Sequence, residues 1–123
     1  MTVPKAITEY FRCINEEDWA TFRDLWTEDA VLLAVGARPR EGRDDVVSYY
    51  PRIFTVWQEH HDQPTRIIPA GDTVTVEIHF RGRTVDGTAA EFDAVDLFDL
   101  RDGKIARLSN WYDIVAARKA VGG

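Results

Sequence analysis

Apolar side chains recur every three or four positions in the first part of the chain and every two in the second. Val3, Ile7, Tyr10, Phe11 and Ile14 fall on one stripe, which predicts an amphipathic opening helix with Tyr10 on its apolar face. Asn15-Glu16-Glu17-Asp18 breaks the stripe. Asp18 suits the N-cap of a short second helix whose buried side carries Trp19, Phe22, Leu25 and Trp26. The apolar run 30–35 predicts a short strand, bounded by Gly36 and an Arg38-Pro39-Arg40 loop. A third helix is expected from about Gly42, with Asp44 and Asp45 at its positive end. Its inner face would hold Val46, Tyr49 or Tyr50, Ile53 and Trp57. Pro51 removes a backbone donor within it, so a kink or a division into two shorter helices is expected.

Beyond about Gln63 the pattern is that of strands at 65–68, 73–81, 88–100 and 105–112. Pro69-Ala70-Gly71-Asp72, Asp86-Gly87 and Arg101-Asp102-Gly103-Lys104 are the turns between them. Val74, Val76, Ile78 and Phe80 share one face; Thr75, Glu77 and His79 share the other. Helices followed by successive antiparallel strands give an α+β domain, with the helices against one face of a curved sheet. No repeat or linker divides the chain, so residues 1–123 are expected to form one domain.

Charge and composition narrow the class. The 21 acidic residues outnumber 15 basic ones, giving a net charge of -6, which argues against a nucleic-acid partner. Cys13 is the single cysteine and cannot form an internal disulfide. The N-terminus lacks the apolar stretch of a signal peptide, and no window approaches the ~20 apolar residues that span a bilayer. A soluble, cytoplasmic domain with no membrane partner is the expectation. Four Trp, four Tyr and six Phe can build a core or line an apolar pocket.

The candidate chemistry centres on Asp96, an acid in a register otherwise filled by Phe92, Ala94, Phe98 and Leu100. If the Phe92/Phe98 face is the core face, Asp96 is a buried carboxyl that must be paired or keep its proton. On the other face it is solvated or paired with an arginine. Asn110 shares a register with Leu108 and Tyr112 and is a reasonable partner for Asp96, structurally or as a contact to a ligand. Tyr10 and Tyr50 fit the edge of a core as well as a pocket. His60, His61 and Asp62 match a metal set by composition only, since adjacent side chains in an extended segment point apart; no metal is expected. Arg38, Arg40 and Arg43 form either a solvated loop or a receptor for an anion.

Taken in order, Tyr10-Phe11-Arg12-Cys13-Ile14-Asn15-Glu16-Glu17-Asp18, Leu25-Trp26-Thr27-Glu28-Asp29-Ala30, Arg40-Glu41-Gly42, Gly71-Asp72-Thr73-Val74, Asp102-Gly103-Lys104-Ile105 and Trp111-Tyr112-Asp113 resemble the ketosteroid isomerase and SnoaL-type cyclase superfamily. The resemblance spans roughly residues 5 to 116. It implies the cone fold of nuclear transport factor 2: a strongly curved antiparallel sheet packed against three N-terminal helices. It also implies that Tyr10 and a protonated Asp96 form an oxyanion hole supported by Tyr50. Trp26, Tyr49, Phe80, Phe98, Asn110 and Tyr112 would form or border the pocket wall. A homodimer through the sheet face of Thr75, Glu77 and His79 is implied as well. The proton-shuttling aspartate of ketosteroid isomerase has no counterpart: Ala34 stands at its position.

Two readings follow. One is a cofactor-independent cyclase or isomerase acting on a small, apolar, ring-containing carbonyl compound, polyketide- or terpenoid-like, with Tyr10 and Asp96 as hydrogen-bond donors. The other is a non-catalytic domain that binds a small ligand or dimerises, favoured by the missing base. Dehydration is a lesser variant of the first. Epoxide hydrolysis, which some relatives perform, would need an Asp–Arg–Asp set that the inward registers do not assemble.

Overall fold

The opening stripe becomes helix α1 (Lys5–Glu16), which buries Ala6, Ile7, Tyr10, Phe11, Cys13 and Ile14 together. The computed structural model describes residues 2–121. Asp18 caps α2 (Trp19–Arg23) by accepting the Thr21 N–H at 3.2 Å, as its side chain predicts. Helix α2 is shorter than the apolar pattern implies. Trp26 is not on its buried side but opens strand β1 (Trp26–Ala34), where it is fully buried. After a short strand β2 (Arg40–Glu41), α3 (Arg43–Ile53) carries Pro51 near its end, and the chain tightens into a 3-10 turn, Phe54–Val56. So near the terminus, Pro51 helps to end the helix rather than divide it.

Trp57, expected on the third helix, instead starts β3 (Trp57–Ala70), ten residues longer than the strand seen in the alternation. Then come β4 (Thr73–Thr84), β5 (Ala89–Arg101), β6 (Lys104–Tyr112) and a final helix α4 (Ile114–Ala120), capped by Asp113. The pattern does not signal α4. The sheet order is β2-β1-β6-β5-β4-β3, and all pairings are antiparallel except β1 with β6. That parallel pair departs from the all-antiparallel expectation. It arises because the meander β3–β6 returns to β1 after the α3 crossover.

The cross-strand rows give the cone its two ends. Trp26 lies opposite Ile105, and Phe98 lies between Val74 and Leu108. All five are fully buried and form the closed, apolar apex with α1 and α2. Phe80 and Phe92 pair toward the open end, where Gly82 lets the Trp57 ring lie directly on the strand. A Cβ at Gly82 would come within 2.7 Å of that ring, so no larger residue fits without moving Trp57.

Strand β3 carries two bulges, between Trp57 and Glu59 and between Pro64 and Arg66. The second reverses which positions share a face. Opposite the inward residues of β4 stand His60, Asp62 and Pro64 before it, and Ile67 and Pro69 after it. On the outer face His79 bridges Asp93 at 2.8 Å and Glu91 at 3.2 Å, while Trp111, paired across from Val95, is 52% exposed. No described helix is long and apolar enough to cross a membrane.

Candidate functional site

The curled sheet, α1, α3 and α4 enclose a cavity of about 360 Å³, a size suited to a small organic molecule. Helices α1 and α3 present Tyr10 and Tyr50 from their buried faces, and the two hydroxyls meet at 3.0 Å. Burial raises both phenols well above the ordinary tyrosine range, and nearby Asp96 adds to this, so both remain protonated.

Asp96 lies in a row running Ala34–Asn110–Asp96–Val76 across β1, β6, β5 and β4. It is 3% exposed, so the core-face alternative is the one the fold adopts. Asn110 Nδ2 donates to Asp96 Oδ1 at 2.7 Å. Burial pushes the Asp96 carboxyl up to about 7; the Asn110 bond pulls it down and the charge of Asp62 pushes it up further. A carboxyl in that state can hold a proton near neutrality and donate it in a hydrogen bond.

Tyr10, Tyr49, Tyr50, Phe80, Asp96, Asn110 and Tyr112 all border the cavity. Trp26 and Phe98, expected in its wall, do not. Both belong to the apex, behind Tyr10, with ring centroids 6.3 and 5.0 Å from it. Alternation tells which face a strand residue takes but not how deep along the cone it lies. Ala34 lines the cavity opposite Asn110 and brings no ionisable group.

Adjacent His60 and His61 point apart. His60 stacks on Phe54 with centroids 4.2 Å apart and meets Glu17 through Nε2 at 3.0 Å, whereas His61 bonds Gln63. Arg38 and Arg40 both engage Asp45, which occupies the anion-receiving side of that loop.

Two contributors have little sequence signal. Helix α4 brings Ile114, Ala117 and Arg118 to the cavity, and β3 brings Asp62. Asn15 of α1 fixes that stretch of β3: its Nδ2 donates to the Asp62 carbonyl at 3.0 Å, and its Oδ1 accepts the Asp62 N–H at 2.8 Å. An amide side chain is required to do both. Asn15→Ala is expected to cost about 1–3 kcal/mol through the two orphaned backbone groups. Chemical denaturation measures the loss, and amide hydrogen exchange at Asp62 should quicken.

A curled six-stranded sheet of this order, wrapped with helices around a cavity that has polar groups deep inside it, is the cone of the nuclear transport factor 2-like fold. The chain belongs to the SnoaL-like domain family, whose profile matches residues 7–108. Among solved structures it is similar to a Catenulispora acidiphila protein of ketosteroid isomerase-like fold, crystallised with trimethylamine. That likeness has 19% identity, covers 98% of this chain and 95% of that one, and has a TM-score of 0.88. TerC, co-crystallised with polyporic acid, is 21% identical over 97% of each chain, with a TM-score of 0.86. An epoxide hydrolase of M. tuberculosis is 19% identical over 96% of this chain and 87% of its own, at 0.82. These likenesses establish the fold. Comparison with curated protein sequences returns no match.

Proposed function

We propose that the protein is a cofactor-independent cyclase or isomerase of small, mostly apolar, ring-containing carbonyl compounds. The observation that carries this reading is the convergence of two kinds of donor on one cavity. The Tyr10–Tyr50 hydroxyl pair and the protonatable Asp96 border the same space. When Tyr50 donates to Tyr10, the Tyr10 proton is free for a ligand oxygen, and protonated Asp96 supplies a second. Two donors in a water-poor site stabilise an enolate or alkoxide more strongly than the carbonyl from which it forms. The aromatic rings of Tyr49, Phe80 and Tyr112 suit a ring-shaped substrate. Polyporic acid on TerC is a ligand of that general kind.

Epoxide hydrolysis has less support. Arg118 borders the cavity, but its charge acts on Tyr112, and among the described residues it forms no ion pair with Asp62 or Asp96. A homodimer through the outer sheet face remains part of the proposal. The exposed Trp111 beside Val95 is the apolar surface that it would cover.

Fluorescence titration with 2-naphthol, whose oxygen resembles that of an enolate, tests the donor site. Tyr10→Phe and Asp96→Ala are each expected to weaken binding by about 10- to 100-fold, the value of a hydrogen bond to a charged group. Equal affinity in all three proteins removes the donor assignment. Ligand binding with no turnover on any enolisable ketone favours the non-catalytic reading.

A further inference from the structure

A second carboxyl borders the cavity. Asp62 stands on β3 opposite Phe80, with its main chain clamped on both sides by Asn15. Among the described residues its side chain has no hydrogen-bond or ion-pair partner, unlike Asp96, which Asn110 holds. Its charge nevertheless reaches Tyr10, Tyr50 and Asp96 and raises all three. An unpaired carboxylate and a set of oxyanion donors therefore share one cavity, while Ala34 leaves the β1 wall without a base.

We propose that Asp62 is the general base of this site, moving a proton between carbon atoms of a cyclic ketone whose oxygen Tyr10 and Asp96 hold. The assignment rests on the functional reading above. It gives the substrate class a further property: a C–H bond next to the carbonyl, acidic enough for a carboxylate to remove. In the forward step a Asp62 oxygen takes that proton. The C–H electron pair becomes a carbon–carbon double bond, and the carbonyl π pair moves onto oxygen, which Tyr10 and Asp96 stabilise by hydrogen bonding. For a β,γ-unsaturated ketone, Asp62 then returns the proton to the γ carbon. The double bond shifts into conjugation, the carbonyl reforms, and nothing is oxidised or reduced.

The charge state of the site suits this division of labour. Burial pushes Asp62 up to about 6, while His60 and His61 on its own strand pull it down. Tyr10 and Tyr50 face it from α1 and α3 as neutral phenols, and Asp96 faces it from β5. Two carboxyls in one cavity resist carrying two charges, and the first to ionise is the one less strongly raised. Between about pH 6 and 7 that order favours the state in which Asp62 is ionised and Asp96 keeps its proton.

The test uses cyclohex-3-en-1-one as the ketone and 2-naphthol as the enolate stand-in. Proton exchange in D₂O is followed by NMR and conversion to the conjugated enone by absorbance, for wild type, Asp62→Asn and Asp62→Glu. Wild type is expected to exceed buffer, with a rate that rises through pH of about 6 and falls above about 7. Asp62→Asn should lose about 10²-fold or more of that rate. Its naphthol affinity should be unchanged or higher, because a negative charge near the oxyanion is gone. Asp62→Glu should recover part of the rate. Wild type that binds naphthol through Tyr10 and Asp96 but is no faster than buffer overturns the assignment, as does an Asp62→Asn variant of wild-type rate. Either result leaves the donor site standing. Failure of naphthol to depend on Tyr10 and Asp96 overturns the functional reading itself.

Discussion

Replacing Asp96 with asparagine is expected to make the protein more stable at pH 8 by roughly 4 kcal/mol, while changing it much less under acid conditions. The folded-state value of about 7 lies above the ordinary 3.8 of an aspartate, so folding favours the protonated form. The sign follows from proton binding. Below pH of about 4 the carboxyl is protonated in folded and unfolded chains alike, and the stability it permits is fully present. As pH rises through about 7, the folded protein must ionise a carboxyl inside an apolar cavity, and that stability is lost. The difference between the two values corresponds to roughly 4 kcal/mol, a large part of the 5–15 kcal/mol that holds an ordinary domain together. Asparagine keeps the acceptor that Asn110 bonds and cannot ionise, so its profile should be flatter. Urea unfolding at about pH 5 and pH 8 measures both proteins. Asp62 acts with the same sign in each and leaves a smaller residual slope. Parallel profiles for the two would mean that Asp96 ionises in the folded protein at little cost.

Phe98→Ala should be the most damaging single truncation near the site, costing about 3–5 kcal/mol. Phe98 is fully buried between Val74 and Leu108, and its ring meets Tyr10 and Phe11 edge-on, at 5.0 and 6.1 Å between centroids. Alanine leaves a void at the apex that the sheet, held on both sides by ladder hydrogen bonds, cannot collapse to fill. The same void removes support from beneath Tyr10. Naphthol affinity should therefore fall even at temperatures where the variant remains folded. Thermal unfolding followed by circular dichroism, together with the titration, separates the two effects. A loss below about 1 kcal/mol would mean that the apex is loosely packed.

These two positions also show how far the amino-acid pattern reaches. Tyr10 is placed by the clean helical stripe of α1, and Asp96 stands out as a single acid in an apolar register, although Val95 and Leu97 on the other face leave the two faces of β5 less distinct and its side open until the strands are paired. Phe98 shares that register, yet its depth in the cone depends on which residues lie across from it, Val74 and Leu108. That information comes only from strand pairing. Trp26 fits both the helical stripe of α2 and the first position of β1, and burial at the apex decides for the strand. The stretch from Trp57 to Gln63 has few apolar residues and one bulge, so neither period emerges. Asp62 consequently reads as a companion of two histidines rather than as part of a cavity wall. Helix α4 is hidden for a different reason: its seven residues are too few for a stripe to register, although Asp113 caps it.

The bulge after Pro64 has a bearing on how such a protein can change over generations. One extra residue, Thr65, lies between the two halves of β3, with Pro64 opposite Ile78 before it and Arg66 opposite Glu77 after it. In a regular ladder, losing one residue turns every side chain on one side of the break to the opposite face. Here the bulge holds a residue that pairs with nothing, so a deletion at Thr65 would make β3 regular and leave Asp62 opposite Phe80, still facing inward. A loss at Gln63 would be absorbed in the same way, with Thr65 moving into the ladder. Within one cone, then, the spare residue of β3 lets the strand shorten by one without exchanging the cavity's carboxylate for its outward neighbours.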